Sequence, residues 1–404
     1  MRECYRFVPH SVTAATILSA SLTGAAFAED TVVINLNLSE TRLSTSELLT
    51  LKPVVNRLYA PDTSTVTPNT DAGPYSPGVM TQKGIVTDTG PRAYGSFGIP
   101  FTSTRVQDGD QSASGATLAN LLSTSFPYRT IGKLSFSAGY CSASLIRRSV
   151  LVTAAHCIQS FGSGNTAYSD YQFIPGHYGA PGATAKQKAP YGIWNWTAFV
   201  RPASWANGTD TGSGAARNND LAVIALAKNT DNQFIGDITG YLGYGWNNCS
   251  FVSSPKTGNL QTAAVSTFGY PDLLDGGAIM QRTDGPTYTT VVGGAWQLWQ
   301  GSDLTGGSSG GPWIVNFKSR DPVREGDAVA GTASKLAVIG VTSWGTSDPN
   351  AAKDNYSSQF RQNAQYPNAN YGGYGAGNIA SLLNTLCNKR APGGGTYASQ
   401  GYCD

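Results

Sequence analysis

Short apolar stretches separated by turn-forming residues constrain the fold of this chain more than any other feature. After residue 130 these stretches are rich in β-branched residues, and Gly, Asn, Asp or Pro bounds each of them. Their sequences are KLSFSAGYCSASLI, SVLVTAAHC, DLAVIALA, AAVSTFGY and KLAVIGVTSWG. Short strands at this spacing are typical of antiparallel barrels or sandwiches. Since charged residues make up only 13% of the chain, we predict an all-β fold rather than a helical bundle.

One helix is predicted, close to the end of the chain. Apolar side chains recur there with the i, i+3, i+4 and i+7 spacing of a single helical face, at Ile379, Leu382, Leu383 and Leu386. We expect this C-terminal helix to dock on the β-rich body.

The first residues have the pattern of a secretory signal peptide. Arg2 and Arg6 supply a positive start, SVTAATILSASLTGAAFA forms an apolar and small-residue core, and Ala-Phe-Ala at 26–28 fits the cleavage rule. A membrane anchor is the alternative, but Ser and Thr interrupt this core and it is short for a bilayer. We therefore predict a signal peptide over residues 1–28 and an extracellular protein, which is periplasmic only in transit.

Residues 29–105 are predicted to be a pro-region and linker. Residues 29–60 have a modest apolar pattern, and the Pro, Thr and Gly stretch that follows has few large apolar residues to pack. A permanent flexible arm is the alternative. Arg92, Arg105 and Arg129 are candidate cleavage points, and residues 106–404 form the predicted main domain with its C-terminal tail.

Two histidines remain once the signal peptide is removed. His156 ends the stretch LVTAAHC, where it is either a structural ring or a base. His177, in IPGHYGAPG, lies between turn formers, so we interpret it as an exposed loop residue without a catalytic role.

Two further stretches carry groups that a histidine base could use. In DLTGGSSGGPW, residues 303–313, Ser309 is surrounded by glycines whose backbone can adopt positive φ and turn amide N–H groups toward a developing oxyanion. In NNDLAVIAL, Asp220 stands at the mouth of an apolar strand, where a carboxylate is costly to bury unless a donor such as a His Nδ1–H reaches it. Taken singly, each stretch also fits an ordinary turn.

Together, TAAHC, NNDLAVIAL and GSSGGP resemble the histidine, aspartate and serine motifs of the trypsin and chymotrypsin family, in the same chain order. The resemblance covers roughly residues 106–390. It implies two antiparallel six-stranded β-barrels, the first with His156 and Asp220 and the second with Ser309. It also implies a serine endopeptidase, a hydrolase in which His156 is the base, Ser309 the nucleophile and Asp220 the group that orients the ring. The N–H groups of Gly307 and Ser309 would form the oxyanion hole.

The resemblance also suggests how the cysteines pair. Five cysteines remain after Cys4 leaves with the signal peptide, an odd number in an oxidising compartment. Cys141 stands where the family has the partner of the cysteine after its histidine, so a bridge from Cys141 to Cys157 would stabilise the fold by about 3 kcal/mol. Cys387 and Cys403 are expected to bridge the tail. Cys249 could then be free, pair between molecules, or compete for Cys387.

The serine loop departs from the trypsin branch. Ser308 stands where that branch has the aspartate that pairs with the new N-terminus on activation, so activation must differ. GGSSGGPW, FIPGHYG and FGYPD are instead similar to the secreted glutamyl-endopeptidase branch.

The primary specificity is open between basic side chains and glutamate. VTSWG is similar to the family's substrate-binding strand, so Ser343, Trp344 and Gly345 are expected to bind substrate.

Asp303 lies six residues before Ser309, where the trypsin branch has the acid that binds Arg or Lys. A structural acid is the alternative, because the glutamyl branch can carry an aspartate here. Arg or Lys is slightly favoured over glutamate, since Thr342 and Leu304 stand where the glutamyl branch is expected to have a histidine and a hydroxyl residue. The pocket also departs from trypsin, because Thr305 replaces a cysteine.

Charge and donor content limit the other partners. A net charge of +2 and a pI near 8.1 give no electrostatic basis for binding nucleic acid or an anionic membrane. Two histidines with oxidised cysteines make no transition-metal site, so no cofactor is predicted, with a structural calcium left open. We expect a monomer that acts on polypeptides. The alternatives are a catalytically silent secreted binding protein on the same fold, and an esterase with the same triad.

Overall fold

The computed structural model describes residues 31–35, 45–48, 50–54, 95, 101–107, 121–253, 261–317, 336–346 and 352–404. The predicted signal peptide, most of the predicted linker and the candidate cleavage point Arg92 lie outside the described residues. No helix in the described part of the chain is long and apolar enough to cross a membrane.

The strands of the first half of the chain are β1 (Thr31–Asn35), β2 (Thr102–Arg105), β3 (Ile131–Phe136), β4 (Gly139–Arg147), β5 (Val150–Thr153), β6 (Gln172–Pro175), β7 (Trp194–Pro202) and β8 (Ala222–Leu226). Those of the second half are β9 (Gly243–Tyr244), β10 (Val252–Ser253), β11 (Gln261–Gly269), β12 (Gln281–Val292), β13 (Ala295–Gly301), β14 (Pro312–Val315), β15 (Ala337–Gly345) and β16 (Asp354–Gln359). The α-helices are α1 (Thr45–Leu48), α2 (Ala185–Lys188), α3 (Ala203–Asn207), α4 (Ile235–Thr239) and α5 (Gly377–Asn388).

The first barrel closes with six antiparallel strands in the order β7-β6-β3-β4-β5-β8, because β7 also pairs with β8. All residues of β5 and β8 are buried, which explains their continuous apolar or small-residue sequences. β1 adds to this barrel by pairing with β7.

The second barrel contains β11-β14-β15-β16-β13-β12 and closes through the pairing of β11 with β12. β2, β10 and β9 lie outside this ring, on β12, β11 and β15 respectively. The predicted pair of six-stranded antiparallel barrels is therefore confirmed.

The predicted C-terminal helix is confirmed as α5, which packs against β7, β8 and β1. Its four periodic apolar side chains have no exposed surface. Burying a side chain of this size stabilises a fold by about 1.5–3 kcal/mol, so this face is sufficient to dock the helix.

Candidate active site

His156 and Asp220 meet because of the pairing of two strands in the first barrel. His156 lies in a 3₁₀ turn, Ala155–Cys157, soon after β5, and Asp220 lies two residues before β8 begins. β5 and β8 are antiparallel, with Thr153 opposite Ala222, so the end of one strand adjoins the start of the other. The imidazole Nδ1 lies 2.8 Å from the Oδ2 atom of Asp220. The backbone N–H of His156 also donates to Oδ1, at 2.9 Å.

Asp220 has no exposed surface, yet both of its oxygens are hydrogen-bonded. A third donor comes from the second barrel, where the Ser343 hydroxyl donates to Oδ2 at 2.6 Å. Since a buried carboxylate is costly unless donors replace water, these three contacts offset its burial and fix its position. Ser343 therefore links the two barrels at the acid.

The serine loop between β13 and β14 is held between the two barrels. The Ser142 N–H of β4 donates to the Ser309 carbonyl at 2.8 Å, and the Gly310 N–H donates to the Thr342 carbonyl of β15 at 2.8 Å. Gly310 has a φ of 77°, and a Cβ there would collide with the hydroxyl of Thr153. Glycine is required at this position because the loop packs directly on the strand that leads to His156.

Four groups at this junction are without hydrogen-bond partners in the part of the chain that the structure describes: His156 Nε2, the Ser309 hydroxyl and the amides of Gly307 and Ser309. The structure thus brings the Ser309 loop to the His156 side of the site without joining Ser309 to His156 by a hydrogen bond. Gly307 has a φ of 95°, as expected for a loop that turns its amides. A base nitrogen, a hydroxyl and two free N–H groups are the components that acyl transfer needs.

Both expected disulfides are present. Cys141 pairs with Cys157, beside His156, and Cys387 in α5 pairs with Cys403 in the tail. Cys249 is also disulfide-bonded, and its partner lies outside the described residues. Of the alternatives for Cys249, a free thiol and a competing bridge to Cys387 are both wrong in this chain.

Asp303 is half-buried, and its Oδ1 atom is buried without a hydrogen-bond partner among the described residues. The neighbouring carbonyl of Leu304 accepts from Asn355 Nδ2 at 3.0 Å, and the same nitrogen donates to the Asp354 carbonyl at 2.9 Å. Two carbonyl partners fix the orientation of the Asn355 amide. Its Oδ1 atom is consequently the other end of the amide, which is also buried and has no hydrogen-bond partner in the described part of the chain.

The expected substrate-binding strand is the end of β15. Trp344 stacks on Tyr356 of β16 with ring centroids 3.9 Å apart, and its Nε1–H donates to Gln297. Gly345 packs against the Asn355 side chain. The hydroxyl of Thr342 accepts from Trp313 Nε1 at 3.0 Å, which commits it to the core of the second barrel.

The interpretation of His177 as an exposed residue is wrong. Its ring is 1% exposed, its Nδ1 lies 2.7 Å from the Lys188 carbonyl, and Tyr270 packs beside it. Burial, together with the charge of Lys133, lowers the pKa of His177 to about 3. The ring is therefore neutral at ordinary pH and serves the packing of its loop.

The loop before Asp220 is held by hydrogen bonds of residues that were not predicted from the sequence. The Asn219 N–H donates to Asp210 Oδ2 at 2.8 Å, and its side chain donates to Gln365. Its Oδ1 accepts from Asn363 and Asn378. Asn219 could have been predicted, because it lies next to Asp220 in the NND motif. Asp210 and Asn378 lie in no motif that would indicate their role.

Among the described residues, one group of potential metal ligands lies close together: Cys141, His156 and Cys157. Its two sulfurs form a disulfide, so no thiolate is available to a metal.

Two closed barrels with a histidine, an acid and a glycine-bounded serine at their junction define a chymotrypsin-like architecture. A sequence model of the Trypsin family matches residues 122–366, more than half of the chain. The chain belongs to the trypsin family of serine peptidases.

Similar proteins include peptidases of Bacillus. The chain is 29% identical to Glutamyl endopeptidase of Bacillus licheniformis over 197 residues, 49% of this chain and 52% of that protein. It is 31% identical to Extracellular metalloprotease of Bacillus subtilis over 144 residues, 33% of this chain and 40% of that protein. The chain thus spans about half the length, or less, of these relatives. Protease Anisep of Arthrobacter nicotinovorans superposes with a TM-score of 0.42 at 21% identity, covering 59% of this chain and 93% of that one.

Proposed function

We propose that this chain is a secreted serine endopeptidase, made as a zymogen, that hydrolyses peptide bonds through Ser309, His156 and Asp220. The observation that carries the proposal is the hydrogen-bonded pair of His156 and Asp220. Asp220 also accepts a hydrogen bond from β15, the strand that is hydrogen-bonded to the serine loop. Membership of the trypsin family adds support. The proposed enzyme is a monomer that acts on polypeptides.

In the proposed mechanism, His156 Nε2 takes the Ser309 hydroxyl proton as the oxygen attacks the substrate carbonyl, and later returns it to the leaving amine. Asp220 holds the Nδ1–H tautomer and stabilises the imidazolium. The oxyanion accepts from the Gly307 and Ser309 N–H groups. Water then enters, gives a proton to His156 and attacks the acyl-enzyme, and His156 passes that proton to the Ser309 oxygen as the acid product leaves.

The proposed primary specificity is for Arg or Lys. Asp303 and Asn355 each have a buried oxygen without a donor among the described residues, and a guanidinium or ammonium group supplies donors. A glutamate carboxylate has no proton to donate and would be repelled by Asp303. Glutamate stays the alternative because of the Bacillus licheniformis relative.

We further propose that residues 1–28 are removed on export and that the pro-region is cut before β2. Arg105 pairs with Asp275 through two hydrogen bonds of 2.6 and 2.8 Å, within a strand on β12. Arg129 donates to the Thr239 carbonyl at 2.8 Å. Because both arginines are engaged, Arg92 is the proposed cleavage point. The disulfides are consistent with an oxidising compartment.

The test is digestion of a mixed peptide library by the processed protein, followed by sequencing of the new ends. We expect cuts after Arg or Lys, and a fall in kcat on the order of 10⁴-fold or more for Ser309→Ala. Ser308→Ala is the matched control, because its hydroxyl is buried one residue away without a partner among the described residues. Near-normal turnover by Ser309→Ala would contradict the mechanism, and no cuts at all would favour a silent binding protein.

A further inference from the structure

The described parts of the N-terminal segment, residues 31–54, contact the body of the protein at two surfaces. At the first, β1 pairs with β7 in antiparallel register, from Thr31 opposite Pro202 to Asn35 opposite Ala198. The Thr31 hydroxyl donates to Thr385 of α5 at 3.1 Å. Leu48 of α1 is only 1% exposed. Strand pairing and burial anchor this segment as a docked element.

The second surface is the edge of β4 at Tyr140, beyond the part of β4 that pairs with β5. The Tyr140 N–H donates to the Lys52 carbonyl at 2.9 Å, and the Val54 N–H donates to the Tyr140 carbonyl at 3.0 Å. Gly139 permits this approach, because a Cβ there would collide with the Lys52 carbonyl. Residues 52–54 thus use the main-chain groups of β4 as an added strand does.

This edge adjoins the proposed nucleophile. A Cβ on Gly307 would lie 2.6 Å from the Tyr140 ring, so the ring packs directly on the proposed oxyanion loop. Two residues along β4, Ser142 donates to the Ser309 carbonyl. On the other side of Ser309 the loop is hydrogen-bonded to β15.

If β15 is the substrate-binding strand, as proposed from its sequence, a substrate chain that passes over Ser309 has β15 beside its acyl part and β4 beside its leaving part. The Tyr140 N–H and C=O that would pair with the leaving part are the groups that Lys52 and Val54 occupy. Two strands cannot pair with the same edge of β4 at once, so the bound segment and an extended substrate exclude each other.

We propose that residues 31–54 bind to the part of the active site that receives the leaving part of a substrate. There they compete with extended polypeptides, and they remain bound after the linker is cut. This inference rests on the proposed peptidase function. It assigns the edges of β4 and β7 as an interaction surface whose partner is this chain's own segment. Among the described residues, the end of β15 beyond Thr342 pairs with no strand except β16, so we expect blocking to depend on substrate length.

The experiment uses the full chain with a site for an unrelated protease introduced within residues 61–90. One substrate is a short acyl-arginine amide with a small leaving group, and the other is a peptide that extends several residues beyond the scissile bond. We expect the intact chain to cleave the short substrate at nearly the rate of the cut and separated enzyme. The long peptide should be cleaved much more slowly until the segment dissociates, through a raised KM.

Val54→Pro removes the N–H that donates to Tyr140, whereas Val54→Ala keeps it and is the matched control. With one hydrogen bond lost, the intact Val54→Pro chain should cleave the long peptide about fivefold faster than Val54→Ala, with the short substrate unchanged. Equal inhibition of both substrates, or equal rates for the two variants, would overturn the inference.

A binding measurement separates this inference from the proposed function. In the Ser309→Ala background, with the linker cut, the long peptide should displace a fluorescently labelled segment, and the short amide should not. Displacement supports competition even if no form of the protein cleaves peptides. A segment that the long peptide leaves in place would overturn the inference while the triad stands.

Discussion

Asp220 and Asp303, the two acids of the proposed active site, differ in how far their oxygens are hydrogen-bonded. Asp220 accepts from the His156 N–H, the His156 ring and the Ser343 hydroxyl, all of which belong to the protein. Asp303 keeps a buried oxygen without a partner among the described residues. Because an unsatisfied buried acceptor costs roughly 1–3 kcal/mol, a site retains one where an external donor offsets the cost. The first acid fits a positioning role and the second a binding role.

The largest effect should follow from Asp220→Asn. The amide can donate to His156 Nδ1, which would stabilise the wrong ring tautomer and leave Nε2 unable to accept the Ser309 proton. We expect kcat to fall by about 10⁴-fold with KM little changed. Steady-state kinetics on one peptide checks this, with Asp210→Asn as the control acid in the preceding loop. A loss below tenfold would remove Asp220 from the positioning role.

Replacing the second acid tests the other half of the comparison. Asp303→Asn keeps the shape but removes the charge, so kcat/KM for Arg and Lys substrates should fall on the order of 10²-fold. Acyl-enzyme formation with a small apolar substrate should be nearly unchanged. A matched series of Arg, Lys, Glu and Leu substrates measures this. Equal losses across the series would make Asp303 a structural acid.

Ser343→Ala removes one of the three hydrogen-bond donors to Asp220 and so tests how much this donor contributes to the position of the acid. A hydrogen bond to a charged group contributes about 1.5–3 kcal/mol, but two donors remain, so we expect a fall in kcat of about tenfold. The split between kcat and KM provides the diagnostic readout, since a less firmly held His156 should lower kcat and leave KM unchanged. Ser357→Ala, on neighbouring strand β16, is the control. An unchanged kcat would show that His156 alone fixes the acid.

The smallest effect concerns a third acid, Asp210. One of its oxygens accepts from Asn219, and the other is buried without a partner among the described residues. Burial and the nearby Asp220 raise the pKa of Asp210 from 3.8 to about 7, against the opposing contacts with Asn219 and Arg217. The folded protein therefore holds this proton to a higher pH than the unfolded chain does.

It follows that the contribution of Asp210 to stability is complete below pH 4 and is lost as the pH rises toward 7. The loss is at most about 1.4 kcal/mol per pH unit for one proton. Urea unfolding of the Ser309→Ala protein, with and without Asp210→Asn, checks this between pH 4 and 7. The difference between the two curves should vary with pH; parallel curves would contradict the shifted pKa.

The fold class and the candidate triad could be predicted from the sequence because their signals are local. Buried strands appear as short apolar stretches, and His156, Asp220 and Ser309 each lie in a compact motif beside a strand end. The α5 periodicity is equally local. These features can be recognised in the sequence without knowing which strands pair.

The remaining parts of the site depend on contacts distant in sequence. The hydrogen bond from Ser343 to Asp220 joins residues 123 positions apart, and no pattern around either residue predicts it. Asn355 acquires its free oxygen only when β16 brings it against Leu304. His177 is flanked by turn formers, yet tertiary packing from Tyr270 buries it. Burial of a polar group within a turn is a tertiary property.

The central claim is that Ser309 is a nucleophile activated by His156. The most direct measurement is labelling of the processed protein with a fluorophosphonate probe, followed by mapping of the modified peptide by mass spectrometry. The account predicts one adduct, on Ser309, that persists in Ser308→Ala and is lost in His156→Ala. An adduct on Ser308, or labelling that does not need His156, would contradict it.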